Sequence, residues 1–476
     1  MNKILFCLAL LSLFSCRNRN PSLSDKQLLA MMNDTTQRVV ETPVPIALDA
    51  DYTPPAGVKF TEIRSVDPAN PPIVIDVANR NLNIKKFNLS DYYAKVRYVK
   101  LQHPKSASEE NFFFDNVGGY ASFDEKMRWL VINARSLFKF TNDYIIAGND
   151  LFGLHCHDKE GNFLYTIESN DYLKVYDASR NYISMQTSDF RYFGNVTTIE
   201  NTCLFRVVEE KQSMLCLYDL PQQKRVMTRP FEGSALFLDN TSVARYVYQP
   251  VRSPENFLFT FDLKGDTLCR FPNYQPEPEI RGGSYPSPPS PVIYYHGNRL
   301  TIRQSLNDTV YRVVSPNRLL PAYVLNFGAY QADLPTFFRG DLSEKLLPSS
   351  WKESDRYILF VYTQNRDTPN NRRDGSVQFF YSYYDKNSGQ VHHFSEGAAM
   401  PDNEFFIENP IPDAVPFILS HADIEDKQLR VCYSKKRLED LVNHKEFASL
   451  PPEQQNKLKT MQNELDDNEI FIMILE

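Results

Sequence analysis

Glycine is scarce, at 17 of 476 residues, roughly half of ordinary usage. That scarcity excludes a collagen-like repeat and a flexible glycine-rich array. Basic excess is also missing, since 52 Lys and Arg stand against 59 Asp and Glu for a formal charge of −7. Nothing resembles the electropositive footprint of a nucleic-acid-binding protein, and no nucleic-acid partner is expected. The chain has no serine-nucleophile elbow, helical zinc-protease motif, phosphate-cradling loop, EF-hand loop or dinucleotide fingerprint. No two cysteines have the two-residue spacing of a zinc or redox motif. These absences weigh against the common catalytic classes, and no cofactor is expected. With 42% hydrophobic residues, the chain can still bury a large core.

What is present begins at the N terminus. Lys3 is followed by an apolar run from Ile4 to Phe14, broken by Ser12. Such a run covers about 17 Å as a helix, well short of the roughly 30 Å hydrocarbon core, and reads as a signal segment over residues 1–15. Leu13 to Cys16 resembles a bacterial lipobox, which makes Cys16 the candidate lipid-attachment residue; the alternative is an unlipidated signal with an incidental cysteine. Acyl chains would hold the protein on a membrane without a spanning helix. By resemblance to sorting rules, Arg17 in place of Asp favours the outer membrane, with the periplasmic or surface side left open. Residues 16–56 read as a polar tether containing Pro21, Pro43, Pro45, Pro54 and Pro55, with a short helical piece around Ser24 to Met32. Residues 57–476 read as the folded body. Its cysteines, Cys156, Cys203, Cys216, Cys269 and Cys432, are odd in number and set among apolar residues, as buried free thiols are.

The body is rich in short Val, Ile, Tyr, Phe and Thr runs separated by turn residues. One unit recurs: an apolar strand, a turn opened by Asp158, Asp219, Asp262 or Asp385, and a second strand. Asp caps backbone two residues on, and Gly or Asn takes the positive φ of the reversal. Strands at Arg299 to Gln304 and Thr309 to Val314 indicate another unit between the last two. The spacing predicts an all-β fold, a β-propeller of four-stranded antiparallel blades, with an array of β-sandwich modules as the alternative. The helical signals are Ser434 to Phe447 and a second segment opened by Pro451-Pro452. The last strand, Ile470 to Leu475, is wholly apolar and is expected to close a ring with a strand from the start of the body, Ile73 to Val77.

Ile75-Asp76, Asn88-Leu89-Ser90-Asp91-Tyr92 and Val96 to Leu101 resemble the opening of a bacterial lipoprotein family of six-bladed β-propellers of largely uncharacterised function. Asn307 to Tyr311 with Leu320 to Gly328 resembles its middle, and Asp467 to Ile470 its end. The resemblance implies six blades closed by N- and C-terminal strands, with short C-terminal helices. Two departures are the missing Gly/Pro-rich stretch after Ile167 and the long Pro-rich insert at residues 272–291.

Two groups of side chains are candidates for function. Tyr274, Arg281, Tyr285 and Tyr294 lie in or beside the Pro-rich insert, where aromatic residues on a stiff loop suit stacking on sugar rings or packing on a protein. The bland alternative is a loop packed on the body. His155 and His157 share one strand face by alternation and could hold a metal with a third ligand, or sit solvated beside a turn. His392-His393 points to opposite faces. The function expected is a membrane-anchored, non-catalytic propeller that binds an envelope protein or glycan. The alternative is a metal-dependent propeller hydrolase or lyase working in the central channel.

Overall fold

The computed structural model describes residues 56–78, 84–101, 136–149, 153–167, 194–209, 212–231, 235–247, 255–273, 291–333, 336–337, 342, 344–365, 377–394, 406–425, 427–465 and 469–476. Cys16 and the signal and tether segments lie outside them. Three short strands come first: β1 (Ile63–Arg64), β2 (Ile73–Asp76) and β3 (Val96–Leu101). Blade 1 is β4 (Ser136–Phe140), β5 (Tyr144–Asn149), β6 (Gly153–Asp158) and β7 (Phe163–Ile167). Blade 2 is β8 (Gly194–Ile199), β9 (Thr202–Glu209), β10 (Gln212–Asp219) and β11 (Lys224–Pro230). Blade 3 is β12 (Leu236–Asp239), β13 (Ser242–Tyr246), β14 (Asn256–Asp262) and β15 (Thr267–Pro272). Blade 4 is β16 (Val292–His296), β17 (Arg299–Arg303), β18 (Thr309–Ser315) and β19 (Arg318–Asn326). Blade 5 is β20 (Leu346–Glu353), β21 (Tyr357–Gln364), β22 (Gln378–Asp385) and β23 (Gln390–His393). A small ladder of β24 (Phe406–Ile407) and β25 (Phe417–Ile418) leads into blade 6. That blade takes β26 (Ala422–Glu425), β27 (Gln428–Ser434) and β28 (Ile470–Leu475) from the C-terminal end, and β3 as its fourth strand. Helices α1 (Lys435–Val442) and α2 (Pro452–Glu464) lie between β27 and β28.

First strands of neighbouring blades approach one another, β4 against β8, β8 against β12, β16 against β20 and β20 against β26. They surround the axis, and the fourth strands form the rim. Each blade is covered by a neighbour on both faces, which explains why β21 (YILFVYTQ) is buried along nearly its whole length while the rim strand β11 alternates exposed and half-buried residues. The core is accordingly split into wedges between blades. Ile146 and Leu154 meet Cys203 and Phe205 between blades 1 and 2, whereas Ile145 and Ala147 meet Val99 and Ile472 between blades 1 and 6.

The turn-opening aspartates do what their spacing predicts. Asp158 Oδ1 accepts from the Asn162 amide at 2.8 Å, Asp219 Oδ1 from Gln222 at 2.8 Å, Asp262 Oδ1 from Asp266 at 2.9 Å and Asp385 Oδ1 from Asn387 at 2.8 Å. Gly161, Gly265 and Gly389 supply the positive φ, and the second copy manages it with Gln223 at φ 50°. Cys156, Cys203, Cys216 and Cys269 are buried free thiols; Cys432, also free, is half-buried.

Ring closure differs from the sequence expectation in its partner. The mate of β28 is β3, with Ile470 opposite Leu101 and Leu475 opposite Val96. Ile73 to Asp76 instead runs parallel to Tyr323–Asn326 on the rim of blade 4. The reason is position in the blade: β28 is a buried third strand, and its outer neighbour needs only one apolar face. Val96–Leu101 has that pattern, with Val99 and Leu101 buried and Arg97 exposed.

The segment before β3 forms a belt round the rim. Lys59 Nζ reaches Asp262 and Asp266 at 2.9 and 3.2 Å, and the Phe60 amide donates to Leu268 O on blade 3. β1 and β2 follow along β19, the Lys85 amide then donates to His393 O on blade 5, and β3 completes blade 6.

Candidate functional site

The two ends of the ring are unlike. First-to-second and third-to-fourth strand turns all emerge on one face, and none exceeds four residues. Second-to-third connections and the links between blades emerge on the other face, among them 102–135, 168–193, 273–291, 327–345, 394–421 and 435–469. Between β3 and β28, every connection longer than four residues is on this second, elaborated face, whereas residues 77–95 lead into β3 on the face of tight turns. Connections carried on a rigid scaffold are where binding groups concentrate.

Part of that face is a helical cap on blade 6. Ser434 Oγ accepts from the Arg437 amide at 3.3 Å and starts α1, and Pro452 starts α2 with its fixed φ. Leu438, Leu441, Leu458 and Met461 bury against Ile411, Val415 and Phe417. Gln454 Nε2 ties the cap down by donating to Asn409 O at 2.6 Å and Ala414 O at 3.2 Å. Beneath it, burial and the charges of Arg437 and Lys352 push the His421 imidazole down to about 3, so it stays neutral in a positive environment.

On blade 4 the same face carries Arg303, the last residue of β17, 1% exposed, on the side of the sheet that Val292 and Tyr294 turn towards blade 5. Its register partner is Val292 at the start of β16. The next residue, Gln304, is also buried and donates to Asn273 Oδ1 at 3.3 Å. Burial lowers the guanidinium to about 10, against the opposing influence of Tyr294 and Tyr246, so it remains charged at neutral pH. The sequence analysis missed this residue because alternation along RLTIR sets Arg299, Thr301 and Arg303 on an ostensibly polar face. In a propeller that face abuts the next blade.

Of the insert residues singled out in sequence, Tyr274, Arg281 and Tyr285 lie outside the described residues; the chain leaves at Asn273 and returns at residue 291 on the elaborated face. Tyr294 is engaged across the blade 4–blade 5 junction. Its hydroxyl donates to Glu353 Oε2 at 2.5 Å and accepts from Trp351 Nε1 at 2.8 Å. Glu353 Oε1 receives Arg312 Nη2 at 2.6 Å, Tyr323 Oη at 2.6 Å and Lys386 Nζ at 2.7 Å, with His296 Nε2 at 3.5 Å. Burial alone would raise this carboxyl; Arg312, Lys386 and His296 reverse that and hold it at about 2.

His155 and His157 do share a face, both packing on the Phe163 ring at 6.3 and 5.8 Å between centroids. They are 2% and 0% exposed, so they are not solvated turn residues. His155 Nδ1 lies 2.9 Å from Thr166 Oγ1, and among the described residues no group of three His, Cys, Asp or Glu side chains is placed to hold a metal. His392 and His393 lie opposite Tyr383 and Ser382, on the two faces of β23.

Six four-stranded antiparallel blades round one axis, closed by strands from both ends of the body, define a six-bladed β-propeller. The chain belongs to the family described as domain of unknown function DUF4933, whose model matches residues 55–444. All of α2 and the closing strand β28 fall beyond the matched part, although the ring is incomplete without β28. Among solved structures the chain is similar to a protein of Bacteroides fragilis NCTC 9343 inferred to be exported, at 13% identity over 85% of this chain and 98% of that one, TM-score 0.49. It is also similar to the Pan2 WD40 domain of Neurospora crassa, at 10% identity over 63% and 75%, TM-score 0.30, and to BamB of Moraxella catarrhalis, at 12% identity over 48% and 55%, TM-score 0.25. No curated protein matches it. Among the described residues no helix is long and apolar enough to cross a membrane.

Proposed function

We propose that this propeller is a binding scaffold of the bacterial cell envelope, held to the outer membrane by acyl chains on Cys16 and presenting its elaborated face to a protein or glycan partner. The observation that carries the binding role is the division of the blades into a face of tight turns and a face bearing every long connection between β3 and β28. Tyr274, Arg281 and Tyr285 fall in one of those connections, and aromatic residues there suit a sugar ring or a protein anchor. The anchor rests on the apolar run ending at Cys16 and on the lipobox resemblance.

Deleting residues 276–290 tests the binding role. A glycan array and cross-linking in intact envelopes should show contacts that the wild type makes and the deletion loses, at unchanged melting temperature. Equal binding by a folded deletion variant removes the insert from the reading. Labelling with a fatty-acid analogue, lost in Cys16→Ala, tests the anchor separately.

A further inference from the structure

We propose that Arg303 is the anion-recognising residue of a carboxylate-binding site on the elaborated face, on the side of blade 4 turned to blade 5; this deepens the binding role proposed above and rests on it. Its Nε and Nη1 are buried and meet no hydrogen-bond acceptor, and among the described residues no carboxylate is paired with it. Two other sheltered arginines have a carboxylate. Arg64 Nε reaches Glu62 at 2.7 Å and Arg312 Nη2 reaches Glu353 at 2.6 Å. The phenol that most influences Arg303, Tyr294, cannot serve it, because its hydroxyl is committed to Glu353 and Trp351.

A buried guanidinium without a counter-charge is costly, and a ligand anion is the group that offsets it. Charge and shape select the anion. One guanidinium balances one negative charge, and its planar fork matches the two oxygens of a carboxylate. A dianionic phosphate would leave a net negative charge beside Tyr294 and Tyr246.

Acetate is the probe, with acetamide as its neutral isostere and chloride to match ionic strength. In the purified protein, acetate should raise the melting temperature saturably, by about 1–2 °C beyond chloride, and acetamide should not. Arg303→Met should melt higher than wild type without additive, since it removes an uncompensated cation, and should lose the acetate increment. Arg303→Lys, which keeps the charge and loses the fork, should lose most of the increment and covers the case in which the methionine variant does not fold. An increment that is absent from the wild type, shared by acetamide, or retained in either variant overturns the site. Partner binding by the elaborated face without an acetate effect sinks Arg303 alone; an acetate effect without partner binding sinks the scaffold reading alone.

Discussion

Arg312 and Lys386 donate to the same oxygen, Oε1 of Glu353, at 2.6 and 2.7 Å, the first from blade 4 and the second from blade 5. With the Tyr294 and Tyr323 hydroxyls they make Glu353 the centre of a buried clamp between blades. Removing the carboxylate strands two cations in the interior. Glu353→Ala should therefore cost about 3–5 kcal/mol, read by chemical denaturation. Glu353→Met combined with Arg312→Met should cost less than the sum of the single changes. Additive losses would show that the two groups do not work as a pair.

The acid response should fall into two windows. The folded His421 sits at about 3 against an ordinary 6.5, so the unfolded chain takes up a proton first. Stability is thus lost as pH falls from about 6.5 towards 3, with His392, also lowered by burial and Lys85, adding in the same sense. Glu353, at about 2 against 4.5, contributes stability that is complete above 4.5 and disappears as pH falls through 2. Melting curves of His421→Gln should be flatter between pH 6.5 and 4.5, and Glu353→Gln should change the slope below that range. A wild-type slope in His421→Gln would contradict the first assignment.

Two glycines with positive φ separate backbone strain from steric clash. A Cβ at Gly161, φ 93°, would meet Lys100 O at 2.5 Å and Val99 Cγ1 at 2.7 Å on the closing strand. At Gly297, φ 56°, it would meet nothing within 4 Å. Gly297→Ala should cost about 1 kcal/mol, and Gly161→Ala at least about 2 kcal/mol more through overpacking. Similar losses for both would mean that β3 yields freely at that contact.

The closing wedge should be as sensitive as any core. Ile472 is fully buried against Val99 and Ile145, so Ile472→Ala should cost about 2–5 kcal/mol and speed proteolysis of both chain ends. Val226→Ala on the exposed rim of blade 2 should fall within about 0.5 kcal/mol. Equal proteolysis of the two variants would argue against closure through β3 and β28.

Local signals were legible in the sequence, and relations between distant segments were not. Asp158, Asp219, Asp262 and Asp385 announce their turns because an Asx cap is written within five residues. Ser434 and Pro452 announce their helices for the same reason. The partner of β28 was misread because strand pairing leaves no local mark, and apolar content favoured Ile73 to Val77 over the more polar Val96–Leu101. Glu353 and Arg303 were missed because their burial depends on the neighbouring blade. A charged residue on a strand reads as solvent-facing until the second covering surface is known.

The belt also governs how the molecule meets its neighbours. A rim strand with free amides and carbonyls invites pairing with another chain. On blades 3, 4 and 5 the protein's own backbone reaches those edges, at Leu268, along Arg318–Asn326 and at His393. Blades 1 and 2 receive no such cover among the described residues. There β11 displays Lys224 and Arg225 beside the exposed Val226, charges that discourage edge-to-edge association, while β7 presents Leu164 at 45% exposure with no basic residue. Among the described rim strands, β7 is therefore where self-association of the purified protein at high concentration would begin.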